Sequence, residues 1–369
     1  MKQIRNRLAI ITLLLLSFGL VMVYSASSIY AWENIGDSAY FLKRHIFFLI
    51  IGFLLTSLIM SWDYNRLRKF IKPLLILSII LLFLVLVPGI GKQVGGARRW
   101  FRILGVGFQP SELAGFMLIL YLADFLSRKG KSIDNFKKGV FPGLLVLAVM
   151  VILLLLQPDL GTPISFILIW LIMFFVAGMK LGHLFLLFAS GIPFLYLLIF
   201  SVPYRRKRIL TFLNPWADPR GNGFQIIQAQ IALGSGGIFG LGLGQSKQKL
   251  FYLPAAHTDF IFSIISEELG ILGAAALIIL FFLFLWQGII ITINAKSDFA
   301  KMLSFGLTLK IVLEVIINIG VNLGLFPTKG MPLPFVGYGG SSLVFDMLSV
   351  GLLLNIAKHE EDNEDIIRP

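Results

Sequence analysis

Ten separate stretches of this chain are long and apolar enough to cross a lipid bilayer, and few folds accommodate that pattern. They cover residues 8–28, 45–61, 73–88, 110–127, 140–156, 162–179, 183–201, 259–290, 299–325 and 341–357. A crossing helix needs about 20 mostly apolar residues, and within hydrocarbon its backbone N–H and C=O groups must be satisfied inside the segment itself. The expectation is an all-α integral membrane protein: a polytopic bundle of about ten transmembrane helices, with residues 1–369 forming one domain. Several spans are short, and the eighth is long enough to tilt or to extend past the hydrocarbon. With 57% apolar and only 14% charged residues, a soluble globular domain is excluded. The basic start at Lys2, Arg5 and Arg7 could pass for a secretory signal, but nine more spans follow and a retained first helix is expected. Cysteine is absent, so disulfides and thiol nucleophiles are too.

Lys and Arg in the connections set the expected orientation. With the N-terminus inside, 17 fall on the cytoplasmic side and 14 outside, and seven of those 14 sit in one long connection of about 57 residues, 202–258, which weighs less. Both termini, including a tail at about 358–369, are therefore expected in the cytoplasm. The net charge of +13 is scattered along membrane edges rather than gathered in a domain, which suits anionic lipid headgroups and argues against nucleic acid as a partner.

Several polar residues stand where lipid should discourage them. Lys310, Glu314, Asn318 and Asn322 are spaced four apart in the ninth span, so they share one helix face. They read either as an ion pair plus amide contacts to neighbouring helices, or as a stripe facing a substrate groove. Glu112 opens the fourth span in Phe108-Gln109-Pro110-Ser111-Glu112, where a first-turn acid complements the helix dipole. Asp159 lies in the tight turn Gln157-Pro158-Asp159-Leu160-Gly161-Thr162, as a helix cap or as a functional acid.

The expected outer face gathers cations against the usual bias: Arg98, Arg99 and Arg102 in one loop, Arg205 to Arg208, Arg220, Lys247 and Lys249 in another, Lys329 in a third. Each alone reads as a rim touching headgroups; together they suit a phosphate or pyrophosphate, whose oxygens match arginine forks. Asp259 is the only carboxylate between Asp218 and Glu267, and it sits where the long connection re-enters the membrane. Two readings of it stand level. It caps the following helix, or it serves as general base for a hydroxyl attacking a carbon that bears a phosphate leaving group. Its neighbour His257 reads first as a loop residue that hydrogen-bonds. No His, Asp and Glu grouping has metal-ligand spacing.

Taken in order, the motifs resemble those of the SEDS (shape, elongation, division and sporulation) family, which includes FtsW, RodA and SpoVE. The likeness runs from Gly95-Gly96-Ala97-Arg98-Arg99-Trp100 through Phe108–Glu112, Gln157–Thr162 and Asn214-Pro215-Trp216-Ala217-Asp218-Pro219. It continues with Ala256-His257-Thr258-Asp259-Phe260-Ile261-Phe262, Glu267-Glu268-Leu269-Gly270, Asn318-Ile319-Gly320 and Gly337-Tyr338-Gly339-Gly340-Ser341-Ser342. Pro327-Thr328-Lys329-Gly330 and Lys249-Leu250-Phe251-Tyr252-Leu253-Pro254 are similar to the division and sporulation members, whereas Met331-Pro332-Leu333-Pro334-Phe335-Val336 is closer to the elongation type. The balance favours an FtsW-like chain.

The resemblance implies a peptidoglycan glycosyltransferase with ten spans in the cell inner (plasma) membrane, polymerising lipid II with undecaprenyl pyrophosphate leaving and inversion at the anomeric carbon. It makes Asp259 of the His-Thr-Asp-Phe motif the catalytic aspartate. Arg98, Arg99, Arg208 and Lys249 are the candidates for neutralising the pyrophosphate; Glu112, Asp159, His257, Lys329 and Ser342 are expected to line or shape the substrate site. The residues single out no cofactor, and a divalent cation, Mg or Mn, is a candidate assistant. The implied partners are a class B penicillin-binding transpeptidase and divisome membrane proteins, with the division septum as the place of work. A lipid II flippase and an elongation or sporulation polymerase are the alternatives.

Overall fold

The computed structural model describes every residue except Gly95, Leu104, Gly105, Phe251, Arg368 and Pro369, together with the side chains of residues 94, 103, 131 and 362–367. Gly95 and Phe251 of the sequence motifs, and the end of the tail, therefore lie outside the described residues. Thirteen helices follow one another among those described: α1 (Lys2–Ile35), α2 (Tyr40–Ser61), α3 (Tyr64–Leu67), α4 (Ile71–Leu84), α5 (Pro110–Lys129), α6 (Phe141–Leu156), α7 (Gly161–Val176), α8 (Leu181–Phe200), α9 (Pro203–Leu213), α10 (Phe224–Ser235), α11 (Ile261–Asn294), α12 (Asp298–Asn322) and α13 (Gly340–Ile367). All ten expected spans are helical. Among the described residues eight helices are long and apolar enough to cross a membrane, with α6 counted together with the helical turn Phe136–Val140 that leads into it; α4 and α7 are shorter apolar helices.

Two ends of the bundle can be distinguished. The terminal end carries the start of α1, the far end of α13 and α3. The loop end carries the connections 85–109, 202–260 and 323–339. In the first of these, β1 (Lys92–Val94), β2 (Ala97–Ile103) and β3 (Val106–Phe108) form a small antiparallel sheet in the order β1-β2-β3, a local addition to an otherwise helical fold. The long connection is not a plain loop. It holds α9, lying at the loop end, and α10, which buries Ile226, Ile227, Ala229 and Ala232 against α11 and α12.

Helices α5, α12 and α13 form the centre. Leu118, Ile119, Leu122, Leu307, Ile311, Leu352 and Leu353 are fully enclosed there. In contrast, α8 buries none of its side chains and rests on α7 and α9, as an apolar helix facing lipid can. The eighth span is long, as expected, but it is broken: Gly270 has φ 67° and ψ −167°, a conformation open only to glycine. The backbone groups released by the break are taken up by the preceding connection. Leu241 and Gly242 donate to the Glu267 and Glu268 carbonyls at 2.9 and 3.0 Å, while Ile271 and Leu272 donate to Gly237 and Ile238 at 2.9 and 3.2 Å. Irregular backbone at this depth is tolerable because protein, not lipid, satisfies it.

Charge seals the terminal end. Asp124 of α5 is buried between Arg68, at 3.0 Å, and Arg128. Asn355 donates to the Ile59 and Trp62 carbonyls at 2.7 and 2.5 Å, tying α13 to the end of α2. Arg5 meets Glu361 at 2.8 Å.

Candidate active site

At the loop end, α2, β2, β3, α5, the turn before α11 and the start of α13 enclose a cavity of about 310 Å³. Its polar lining includes Arg44, Trp100, Gln109, Glu112, Asp259 and Ser342. Two local features hold these walls together. Pro110 at the first position of α5 follows the extended residue Gln109, whose N–H donates to Ser341 Oγ at 3.0 Å, so the starts of α5 and α13 are joined. The turn 255–260 is closed by Thr258 and Phe260 N–H groups donating to the Ala255 carbonyl at 3.1 and 3.4 Å.

Asp259 sits at the end of that turn, and its carboxylate is not spent on capping. The N-cap of α11 is Phe260, and no N-cap side chain hydrogen-bonds the helix start. The carboxylate points at the cavity, where an added Cβ on Gly330 would lie 3.3 Å from Oδ2; the bare glycine leaves it room. Burial pushes its pKa up to about 7, against the lowering effects of the Thr258 hydroxyl and the Arg208 guanidinium. A carboxyl titrating near neutrality is matched to proton abstraction at cellular pH. Asp259 forms no ion pair among the described residues.

The other residues singled out in the sequence divide. Glu112 and Ser342 line the cavity with Asp259. Arg208, on α9, stands close enough for its field to reach Asp259; it donates to the Thr328 carbonyl at 3.2 Å and lies over the Tyr204 ring. Lys329 is beside the cavity, donating to Ser165 Oγ at 2.6 Å; burial brings its ammonium down to about 8 despite Asp159, Glu314 and Glu112 nearby. Asp159 acts as a cap: Oδ1 accepts from Gly161 and Thr162 N–H at 3.0 and 3.2 Å, and Oδ2 from the Thr162 hydroxyl at 2.9 Å. Arg99 is bound to the same turn through the Gln157 and Pro158 carbonyls. Arg98, partly exposed on β2, is not part of the cavity lining.

Two residues are placed differently from the expectation. Lys249 is not at the cavity. It is buried against α1, with its ammonium 2.7 Å from Glu268 and 3.3 Å from Ser25 Oγ. Its charge is already used, because Glu267 and Glu268 fold the 246–249 segment onto α11. His257 packs its ring between Tyr30, Phe41 and Tyr338, and burial holds its imidazole down at about 4, so it is neutral near pH 7. It supports the turn before Asp259, and its carbonyl accepts from Tyr338 N–H at 2.9 Å.

Sequence reasoning passed over Arg44, which lines the cavity and interacts with Tyr40 and Tyr338. A Lys43-Arg44 pair just inside an apolar run was the available signal. Trp100 was quoted only as part of a motif, yet it forms one wall. The polar stripe of α12 splits. Lys310 pairs with Asp346 at 2.6 Å and Glu314 at 3.0 Å, whereas Asn318 and Asn322 end against the segment that carries Asp259.

The sequence matches the cell cycle protein family of FtsW, RodA and SpoVE over residues 6–362. Stage V sporulation protein E of Bacillus subtilis (strain 168) is 45% identical over 352 residues, covering 95% of this chain and 96% of the relative. A probable peptidoglycan glycosyltransferase FtsW of Trichlorobacter lovleyi is 46% identical over 350 residues, covering 95% and 92%. Among solved structures, the fold is similar to a chain of a peptidoglycan synthase complex described for its structural coordination of polymerization and crosslinking, with TM-score 0.79, 29% identity and coverage of 96% and 97%. It is also similar to the rod shape determining protein RodA of Thermus thermophilus, with TM-score 0.69, 28% identity and 96% of each chain covered. Matched along nearly its whole length, in sequence and in fold, this chain belongs to the SEDS family of FtsW, RodA and SpoVE proteins.

Proposed function

We propose that this chain is a peptidoglycan glycosyltransferase that polymerises lipid II, with its loop end outside the cytoplasm and Asp259 as general base. Asp259 takes the proton from the 4-hydroxyl of one disaccharide as that oxygen attacks C1 of the other. The C1–oxygen bond to the pyrophosphate breaks, undecaprenyl pyrophosphate leaves, and the anomeric centre inverts. The observation that carries this reading is the unspent carboxylate: half-buried, held near pKa 7, facing a polar cavity flanked by Arg44 and Arg208. General-base positioning is worth roughly 10²–10⁴-fold in rate. Arginine forks match pyrophosphate oxygens, and neutralising the leaving group can stand in for a general acid. Glu112, Ser342 and Trp100 shape the cavity beside Asp259, and Lys329 and Asp159 brace the wall behind it.

Among the described residues no three His or carboxylate groups are gathered around one point. A divalent cation that takes part would arrive on the pyrophosphate. The kinship with division and sporulation relatives supports work at a septum, and the likeness to a synthase-complex chain supports a class B penicillin-binding transpeptidase as partner, within a larger set of divisome membrane proteins. A flippase is less well supported, because Lys310, Glu314 and Asp346 lock together in the bundle and the terminal end is closed by ion pairs.

The test incubates the purified full chain with lipid II and measures glycan polymer and lipid flipping side by side. Polymer that disappears with Asp259→Ala is expected. Flipping without polymer would overturn the assignment.

A further inference from the structure

The start of α11 presents a gap. Helices expose unpaired N–H groups in their first turn, and an N-cap side chain normally accepts from the third helical residue. Phe260 cannot do this, and Asp259 does not. The side-chain acceptor comes from another helix. Ser263 is the third residue of α11; its N–H is shared between the Phe260 carbonyl, at 3.1 Å, and Asn322 Oδ1, also at 3.1 Å, and its hydroxyl donates to that same Asn322 oxygen at 2.7 Å.

With its oxygen fixed by two donors, the Asn322 amide has one consistent orientation, and its nitrogen faces two carbonyls: Asp259 at 3.0 Å and Asn318 at 2.8 Å. A flipped amide would set nitrogen against the Ser263 N–H. Asn318, one turn earlier, donates from its own nitrogen to the Asp259 carbonyl at 3.0 Å and to the Met331 carbonyl at 2.7 Å. Both asparagines are buried, 3% and 0% exposed, in a helix that is otherwise apolar at this level. Two amides thus converge on one carbonyl oxygen, and the same amides bind the helix that follows Asp259 and the 330–332 wall that faces it.

We propose that Asn318 and Asn322 are positioning residues: they cap α11 from the neighbouring helix and hold the Asp259 backbone, so that the Asp259 carboxylate is left free and aimed into the cavity. This rests on the reading of Asp259 as the base. The amides touch no substrate; they fix where the base stands. A displacement of about 1 Å in a reacting group can cost about 10²-fold in rate without weakening substrate binding. An interaction lost only in the transition state lowers kcat and leaves KM.

The experiment compares Asn322→Ala, Asn318→Ala, Ser263→Ala and Asp259→Ala in the purified full chain, with kcat and KM for lipid II polymerisation and folding checked by monodispersity and melting temperature. The expected result is a fall in kcat of about 10- to 100-fold for Asn322→Ala, with KM within about twofold of wild type. Asn318→Ala follows in the same direction, and Ser263→Ala, which only loosens the Asn322 amide, shows a smaller fall. Wild-type kcat in folded Asn variants, with Asp259→Ala inactive, would overturn the positioning role alone. Activity in Asp259→Ala would remove the base and the positioning role together. Loss of folding in all three amide and hydroxyl variants would also overturn it, since these groups would then be holding the bundle rather than the base.

Discussion

Asp124 and Asp259 carry the same side chain toward opposite ends of one bundle, and the structure employs them in opposite ways. Asp124 is enclosed between Arg68 and Arg128, so its charge is neutralised and its hydrogen bonds are met. Asp259 is half-buried with no ion pair among the described residues; its backbone is held by Asn318 and Asn322 while its carboxylate is left to the cavity. The carboxylate that closes the terminal end is held by two guanidinium partners, whereas the one at the loop end has its backbone restrained and no ion pair among the described residues. Lys249 extends the lesson to cations, because its pairing with Glu268 removes it from the pool available to a phosphate.

The largest stability effect that sharpens this contrast is at Lys249. Replacing it with Met leaves Glu268 buried without its partner, which should cost about 3–5 kcal/mol. Thermal unfolding in detergent should register that loss, while KM for lipid II in the surviving folded protein stays unchanged. A raised KM with normal stability would return Lys249 to the substrate site. Next comes pH. A base with pKa about 7 is increasingly protonated, and idle, as pH falls below that value. The sign is therefore a polymerisation rate that drops about tenfold per unit below pH 7 and levels off above it. A profile flat down to pH 5 would place Asp259 in a polar, unshifted environment. The smallest expected effect is at Arg208, which is exposed: Arg208→Ala should slow polymerisation about fivefold, roughly 1 kcal/mol. It should also move the acid limb to higher pH, since the guanidinium holds the Asp259 pKa down. Arg208→Lys restoring full rate would mean a point charge suffices.

Much of the architecture was legible because lipid imposes length and apolarity directly, and all ten stretches became helices. The break at Gly270 was not, because it depends on the 237–242 segment being present to take up the freed backbone groups, a pairing across some 30 residues. Asp259 was legible as an isolated carboxylate at a membrane edge, but whether it capped α11 could be decided only once Phe260 was seen at the cap and Asn322 at Ser263. Lys249 shows the converse. Nothing in its local sequence reveals that Glu268, 19 residues later, folds back beside it. For the α12 stripe, the spacing put four polar groups on one face and offered an ion pair plus amide contacts as one of two readings; it could not name Asp346 as the second partner of Lys310 or the Asp259 carbonyl as the target of both amides.

The most direct test sets Asp259→Asn beside Asp124→Asn, both as purified full chains supplied with lipid II. Asp259→Asn keeps its fold and loses polymerisation by roughly 10²–10⁴-fold. Asp124→Asn, expected to lose about 1–3 kcal/mol of stability, polymerises at close to the wild-type rate once folded. Near-normal glycan synthesis by Asp259→Asn would contradict the account.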